Sequence, residues 1–220
     1  MKKSFQSEYF VFARRSRPFI MISLLAVVCL VNFLMAGVFW QVSVMLAPYL
    51  CTLVLGFMDY FVFCGFNSRK TKGIDILKSS ARGRALVVSA VKQDAVNKSL
   101  FSLAACLFTL ISILTINKEV DKLFVILYAI AAFSTCQVIN RLLLLVDRWK
   151  GLTMQTHMFI VYLGYFAGGI LLLPLIFLSE GCNVAIMAVY AVVAEALSVL
   201  SGIWLVKSCT KAYDSSFFDE

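Results

Sequence analysis

Six long apolar stretches constrain the fold of this chain more than any other feature. Each has about the 20 residues that a helix needs to cross the hydrocarbon core of a bilayer. The chain of 220 residues is 61% apolar and 15% charged, whereas soluble domains average about half and about a quarter. The composition therefore excludes a soluble globule and predicts an all-α polytopic membrane protein, with residues 1–220 forming a single transmembrane domain. The six predicted spans are Phe19–Phe39, Ala47–Phe66, Leu100–Ile116, Leu123–Val146, Met158–Leu178 and Val184–Val206.

The connections between these spans alternate in their content of lysine and arginine. Basic residues lie before the first span, between the second and third, after the fourth and after the sixth, whereas a connection such as Gln41–Leu46 has no charge. Cytoplasmic loops carry the excess of basic residues. Both termini are therefore predicted to be cytoplasmic. The net charge of +8 is then mainly a topology signal, and no nucleic-acid partner is predicted.

The N-terminal segment before the first span is amphipathic. Phe5, Tyr9 and Phe12 recur at helical spacing and are followed by arginines. Such a segment can lie in the headgroup plane before Pro18 turns the chain into the bilayer. It predicts an interfacial elbow helix over residues 1–18. The alternative is a basic terminus that only orients the first span.

Residues 67–99 form the longest internal polar segment and carry eight of the 20 basic residues. Apolar residues such as Leu77 and Leu86 recur there at roughly helical intervals, while Ser80 and Gly83 interrupt the pattern. This pattern predicts two short helices separated by a turn, with the second helix continuing into the third span. The alternative is a solvated basic connector that only fixes topology.

The stretch Asp75–Val87, which reads DILKSSARGRALV, resembles the coupling region of the membrane permease subunits of type 2 ABC exporters. In that family a leucine-rich turn is followed by a small residue or proline, a basic residue and a new helix that enters the third span. Ser80 or Ala81 stands here where the family often has proline. The resemblance implies six helices, an elbow helix and a cytoplasmic amphipathic coupling segment between helices 2 and 3. The coupling residues it implies are Leu77, Arg82, Arg84, Leu86, Val87 and Lys92.

The resemblance also implies an energy source and partners. The sequence has no GxxxxGK[ST] phosphate-binding loop, so ATP and magnesium are expected on a separate ABC ATPase subunit and no cofactor on this chain. A second permease subunit, identical or related, and membrane lipid complete the expected partners. The implied activity is outward transport of an amphipathic or hydrophobic substrate, such as a peptide, a lipid-linked molecule or a drug, across a bacterial cytoplasmic membrane. The chain itself is not expected to be an enzyme.

Four polar residues within the spans are candidate site residues: Asn32, Asp59, Arg141 and Glu195. A charged side chain at the bilayer centre costs about 2.5 to 3.5 kcal/mol on insertion scales, so each is a functional hypothesis. Asp59 and Arg141 have comparable depth and predict a buried ion pair with a structural or gating role, unless Arg141 extends to the inner headgroups. Glu195 has no basic residue at its depth; it is protonated, lines a polar cavity or binds a cationic part of a substrate.

Cysteine, histidine and glycine patterns give weaker signals. The single His157 and the absence of a Cys/His cluster predict no metal site. Cys51 and Cys182 both fall near predicted outer ends, which leaves a disulfide open. Gly164 and Gly168 have the spacing of a close helix contact, either within the chain or in a dimer.

Two other functions remain open at this point. A six-helix substrate-capture subunit of a vitamin importer has similar length, but its inner loops are generally short, unlike residues 67–99. A membrane scaffold or sensor that does not transport could use the basic segment to hold a partner.

Overall fold

The computed structural model describes residues 17–35, 39–58, 79–117, 120–147, 154–181 and 183–215. This part of the chain is helical apart from short turns and connections, and it contains no strand, which confirms the all-α class. The helices are α1 Arg17–Met35, α2 Trp40–Met58, α3 Gly83–Ile116, α4 Lys122–Asp147, α5 Met154–Ile170, α6 Leu173–Gly181 and α7 Val184–Ser215. Of the predicted elbow helix, residues 1–18, only residues 17 and 18 are among those described. Asp59 and Leu77 also lie outside the described residues.

Four helical stretches are long and apolar enough to cross a membrane, and they identify an integral membrane protein. They are Gly83–Ile116, Lys122–Leu143, Gln155–Leu178 and Val184–Lys211. The apolar stretches of α1 and α2 are shorter and cover Ile22–Met35 and Trp40–Gly56. The count of six spans therefore stays a prediction.

The second helix begins earlier than the sequence predicted. Gln41–Leu46, predicted as an outer loop, lies inside α2, which starts at Trp40 rather than Ala47. This segment contains neither glycine nor proline, and its Ser43 and Val44 are buried against other helices. Absence of charge marked it as an outer segment, but it carries no residue that stops a helix.

The fifth predicted span is divided into two helices. The structure has α5 and α6 separated by a turn at Leu171 and Leu172, where the sequence predicted one helix over Met158–Leu178. Pro174 explains the interruption, because its ring would clash with the carbonyl of Ile170 in a continuous helix.

Helix α3 joins the polar segment to the third span, as the sequence predicted. A turn at residues 79–82 precedes the helix, which then runs for 34 residues without interruption. No glycine or proline occurs from Arg84 to Ile116. At 1.5 Å per residue the helix is about 51 Å long, and a bilayer core is only about 30 Å thick. One end of α3 therefore projects beyond the hydrocarbon.

Helix α7 projects at the same end of the bundle. It has 32 residues, or about 48 Å. Val87, Ala90 and Val91 of α3 form one buried cluster with Leu205, Cys209 and Tyr213 of α7. We call this paired region, residues 83–91 with residues 205–215, the α3–α7 extension. Because the two helices run in opposite directions there, the start of α3 and the end of α7 lie on the same side of the membrane.

Helix α4 occupies the centre of the bundle. It packs against α2, α3, α5, α6 and most extensively α7. Its residues Tyr128, Cys136 and Ile139 belong to the main buried cluster, together with residues of the surrounding helices. Large apolar side chains on α1, α5 and α7 face outward, among them Phe19, Phe166 and Val192, as expected for surfaces in contact with lipid.

Candidate functional site

A cavity of about 530 Å³ lies between α3, α4 and α7. This volume is within the range of ligand-binding pockets, about 300 to 1,000 Å³. We call it the α3/α4/α7 groove. It is lined by Lys92 and Ser99 of α3, Phe133 and Arg141 of α4, and Glu195, Ser198, Val199, Gly202, Ile203, Val206 and Lys207 of α7.

Small residues on α7 make room for the groove. Ser198 is buried on the face of α7 that meets α4, and Gly202 follows one helical turn later on the same face. A Cβ atom at Gly202 would lie 3.2 Å from Nη1 and 3.4 Å from Cζ of Arg141. The guanidinium of Arg141 therefore occupies space that a side chain at position 202 would otherwise fill.

Arg141 makes its hydrogen bonds to uncharged groups. Its Nη1 donates to the carbonyl and to Oγ of Ser198, the latter at 3.0 Å, and its Nη2 donates to Oγ of Ser99 at 3.4 Å. Nε of Arg141 is buried and has no hydrogen-bond partner among the described residues. An arginine keeps its charge at every physiological pH. The groove thus contains a positive charge that none of these bonds neutralises.

Glu195 lines the groove at the end away from the α3–α7 extension. Ser134 of α4 donates a hydrogen bond of 2.5 Å to its Oε2, and the carboxylate interacts electrostatically with Arg141. Glu195 was predicted to have no basic residue at its depth, but the long side chain of Arg141 extends into the same groove. Glu195 is exposed, and so are its neighbours Val192 and Val199 on the outer face, so the groove also opens sideways.

Two lysines lie at the other end of the groove. Lys92 and Lys207 are both exposed and both line the cavity. Glu195 and Lys207 are separated by about 18 Å along α7 at 1.5 Å per residue. Within the groove, three basic side chains therefore stand against one carboxylate. The lining as a whole favours an anion, with the greatest positive charge toward the α3–α7 extension.

No family model, curated protein or solved structure matches this chain.

Two apolar residues of the implied coupling set pack within the chain. Val87 is fully buried, and Leu86 packs beside it in the α3–α7 extension. Their apolar faces are occupied within the chain, because α7 continues far enough to cover them. The exposed part is the tip: residues 79–82, Arg84 and Ala85.

Arg84 is exposed but has a partner on α7. Its Nε donates to Asp214 Oδ1 at 2.8 Å and its Nη2 to Oδ2 at 3.0 Å. This two-pronged geometry suits a guanidinium and a carboxylate. The hydrogen bond from Arg84 holds the pKa of Asp214 below its ordinary value. The pair links the ends of the α3–α7 extension. Of the predicted basic coupling residues, Arg82 at the start of α3 makes no ion pair with a described residue.

Asn32 lies apart from the groove, on α1. It is buried, and its Nδ2 donates to the carbonyl of Val28 in the same helix at 2.8 Å. This bond occupies the amide nitrogen within its own helix, while the buried Oδ1 has no hydrogen-bond partner among the described residues. Asn32 therefore does not join Arg141 and Glu195, and the predicted pair of Arg141 with Asp59 involves a residue outside the described part of the chain.

A second polar cluster lies on a neighbouring face of α4, since consecutive helix residues point about 100° apart. Tyr165 of α5 donates to the carbonyl of Thr52 on α2, and its hydroxyl is 3.2 Å from Oδ1 of Asn140 on α4. Tyr49 of α2 donates to the Tyr165 carbonyl at 2.6 Å, and the two rings meet edge to face. We call these four residues the tyrosine junction. It joins α2, α4 and α5.

Glycines bring α5 close to α4 beside this junction. A Cβ atom at Gly164 would be 1.9 Å from Cδ2 of Leu143, and one at Gly168 would be 2.5 Å from Cγ2 of Ile139. Of the two interpretations of the glycine spacing, the structure supports packing within the chain.

An ion pair that the sequence analysis did not single out lies inside α3. Nζ of Lys98 is 2.8 Å from Oδ2 of Asp94, and both side chains are fully buried. The signal was available, because opposite charges four residues apart meet on one helix face. No group of three or more His, Cys, Asp or Glu residues suited to a metal occurs in the described ranges. Cys51 is a free, buried cysteine.

Proposed function

We propose that this chain is a membrane permease subunit of an ABC exporter and that the α3/α4/α7 groove is its substrate site. The observation that carries the proposal is the groove itself, a cavity of about 530 Å³ containing Arg141 and Glu195 between membrane-spanning helices. Charged side chains within spans are costly and mark substrate paths in transport proteins. A purely structural role for Arg141 does not account for the open space beside it.

The proposal includes six spans with both termini on the cytoplasmic side of a bacterial cytoplasmic membrane. The distribution of basic residues supports this orientation. The ion pair of Arg84 with Asp214 also supports this orientation, because the pair holds the start of α3 and the end of α7 at one end of the bundle. Lys92 and Lys207 then place the wider mouth of the groove at the cytoplasmic surface, where an exported substrate enters.

A separate ATPase subunit supplies the energy in this proposal, and a second permease subunit completes the transporter. The docking element is the exposed tip formed by residues 79–82 and Arg84. The continuous helix from Gly83 to Ile116 connects this tip directly to Lys92 and Ser99 in the groove wall. A displacement of the tip by the ATPase would therefore move one wall of the substrate site.

The test is co-purification of the tagged full-length chain from its native membrane in mild detergent, followed by mass spectrometry and an ATP hydrolysis assay. We expect an ATPase with a phosphate-binding loop in the purified complex. Arg82→Glu should reduce its recovery at least tenfold, because one exposed cation at the tip becomes an anion. The matched control is Lys122→Glu, which makes the same change at the other end of the bundle.

Arg84 needs a different variant, since Arg84→Glu would also repel Asp214. The double variant Arg84→Asp with Asp214→Arg restores the pair while moving the positive charge to α7. If wild-type, Arg82→Glu and Lys122→Glu chains all recover the same amount of ATPase, the tip is not the docking element. If none of them recovers an ATPase, the exporter proposal is wrong.

A further inference from the structure

The chemistry of the α3/α4/α7 groove specifies its ligand more closely than the transport function does. We propose that the groove binds an amphiphile with an anionic headgroup, such as a phosphate or carboxylate, and that Lys92, Arg141 and Lys207 hold that headgroup. This inference deepens the proposed function, because it names the substrate class of the same site. Binding is an equilibrium property, however, and is tested without an ATPase.

The charge balance within the groove is the first argument. Glu195 can offset only one of the three positive charges that line the cavity. Neither lysine forms an ion pair with a described acidic residue; the two ion pairs found there are Arg84 with Asp214 and Lys98 with Asp94. A cavity with low-dielectric walls strengthens the field of such charges. An anion entering the groove therefore meets a net attraction.

The donor set of Arg141 is the second argument. Its Nη atoms are held by Ser198 and Ser99, so the direction of the guanidinium is fixed before a ligand arrives. Nη1 uses both of its N–H groups on Ser198, whereas Nη2 gives one of its two to Ser99 and keeps the other. A phosphate or carboxylate oxygen is the group that a guanidinium binds best.

The apolar part of the lining is the third argument, and it distinguishes an amphiphile from a free anion. Phe133, Val199, Ile203 and Val206 complete the walls, and Val199 and Ile203 are also exposed on the outer face of α7. A hydrocarbon chain can therefore leave the groove sideways along α7 into the lipid, while the headgroup stays beside the cations. The free energy gained by burying each CH₂ group adds to the electrostatic term.

The experiment is isothermal titration of the full-length protein in phosphatidylcholine nanodiscs with three probes. Dodecyl phosphate carries the proposed headgroup and a chain, inorganic phosphate carries the headgroup alone, and dodecyltrimethylammonium carries the same chain with a positive charge. We expect dodecyl phosphate to bind at least tenfold more tightly than either of the others. Binding should weaken as salt is added, because the ligand contacts are partly charge contacts.

Variants assign the binding to the groove. Lys207→Gln and Lys92→Gln should each weaken dodecyl phosphate binding about fivefold, which corresponds to about 1 kcal/mol per lysine. Lys211→Gln is the matched control, because Lys211 is exposed one turn further along α7 and does not line the cavity. Arg141→Gln should weaken binding more than about tenfold. The two lysine variants alter exposed side chains, so they test the site even if Arg141→Gln does not fold.

Glu195→Gln gives the most discriminating result. Removal of its negative charge should tighten dodecyl phosphate binding about threefold or more, since a like charge is removed from the groove. If inorganic phosphate bound as tightly as dodecyl phosphate, the site would be one for soluble anions, and the proposal of an amphiphile would be wrong. If dodecyltrimethylammonium bound more tightly than dodecyl phosphate, and Glu195→Gln abolished that binding, the site would bind cations, and the proposal of an anionic headgroup would be wrong. If Lys207→Gln and Lys211→Gln weakened dodecyl phosphate binding equally, the groove would not be the binding site.

These outcomes are separable from those of the exporter proposal. Dodecyl phosphate binding that depends on Lys92 and Lys207, in a chain that recovers no ATPase, leaves a lipid-binding membrane protein that is not an exporter. Recovery of an ATPase that depends on Arg82, without dodecyl phosphate binding, leaves the exporter with a different substrate.

Discussion

The two sides of α4 carry polar clusters that differ in one essential respect. Asn140 belongs to the tyrosine junction, and Arg141, the next residue, belongs to the α3/α4/α7 groove. At the junction Tyr165 and Tyr49 direct their hydroxyls to acceptors on neighbouring helices, and glycines close the space nearby. At the groove the helices stay apart, and Arg141 keeps a donor without a partner in the described chain.

The polar residues of the junction hold helices together, whereas those of the groove remain available to bind a ligand. Buried polar groups with satisfied hydrogen bonds fix one arrangement of their helices. Groups that face a cavity can exchange water for a ligand. Substitutions at the junction should therefore change the free energy of unfolding most, whereas substitutions in the groove should change ligand binding most.

The largest loss of stability is expected from Gly168→Val. The β-branched side chain would enter space held by Ile139 Cγ2, only 2.5 Å from the position of the first added carbon. Overpacking of a well-filled contact costs about 1 to 3 kcal/mol, and we expect the upper part of that range. The measurement is the free energy of unfolding from titration with SDS, followed by circular dichroism. Ala167→Val, on the exposed face of α5, is the control, and an equal loss in both variants would contradict the close contact of α5 with α4.

Tyr165→Phe should have the next largest effect. It keeps the ring but removes the hydroxyl that bonds the carbonyl of Thr52 and contacts Asn140. The carbonyl of Thr52 keeps its hydrogen bond within α2, but buried Oδ1 of Asn140 loses the bond from Tyr165. Leaving a buried acceptor unsatisfied costs about 1 to 3 kcal/mol. Tyr162→Phe removes a hydroxyl from an exposed tyrosine of the same helix and should change the same unfolding curve very little. The junction is not a structural joint if the two variants are equally stable.

Ser134→Ala should affect stability less and ligand binding more. The hydroxyl that it removes bonds Glu195, which is exposed to the groove and can take a water in its place. We therefore expect about 0.5 to 1 kcal/mol in unfolding free energy. We also expect a clear change in the affinity for dodecyl phosphate, because the side chain of Glu195 loses the hydrogen bond from Ser134 that fixes its position. Ser201→Ala, which loses only a bond to the Ser198 carbonyl in its own helix, should leave that affinity unchanged. A stability loss as large as that of Tyr165→Phe would remove the contrast between the two sides of α4.

The smallest effect is expected at the exposed pair of Arg84 and Asp214. The hydrogen bond from Arg84 lowers the pKa of Asp214 in the folded chain. The stabilisation is therefore complete above the ordinary carboxyl pKa of about 3.9 and is lost as pH falls through the lowered folded value. Burial raises the pKa of the neighbouring Tyr213 above its ordinary value, so this hydroxyl stays uncharged between pH 5 and 7. Hydrogen exchange of the amides of residues 208–215, corrected for intrinsic rate, should show equal protection at pH 5 and 7.

Protection should fall below about pH 4, and Asp214→Asn should show the lower protection at every pH. High salt should act in the same direction, since both side chains are more than 40% exposed and surface pairs are screened. Unchanged protection in Asp214→Asn would mean that apolar packing of Val87 against Leu205 alone holds the α3–α7 extension.

The sequence predicted helices well where apolar runs end at strong signals. The starts of α1, α4 and α7 lie within a few residues of the predicted spans, and the turn before Gly83 follows from Ser79 and Ser80 in front of a regular pattern. It failed at Gln41–Leu46, where absence of charge resembled a loop, and at Pro174, where an apolar run concealed a helix break. Hydropathy predicts whether a segment lies in the membrane, whereas the ends of a helix depend on residues that allow or break its backbone hydrogen bonds.

The site was predicted only in part. Arg141 and Glu195 were predicted because charged residues are conspicuous in apolar spans. Their common groove depends on how α4 and α7 pack, and hydropathy patterns do not show which helix faces meet. Lys207 was assigned to topology and Lys92 to coupling, since each has an ordinary explanation on its own helix. A signal for the α7 wall was present in Ser198, Ser201 and Gly202, which place small and polar residues on one face of an apolar helix.

The uninterrupted length of α7 links the two ends of the groove mechanically. One helix of 32 residues carries Glu195 at one end of the groove, Lys207 at the other and Asp214 beyond it, so a force on the C-terminal end of α7 is transmitted to Glu195 through continuous backbone hydrogen bonds. Its one glycine, Gly202, is its most compliant point, and that point lies against the guanidinium of Arg141. Bending of α7 would thus be greatest beside Arg141.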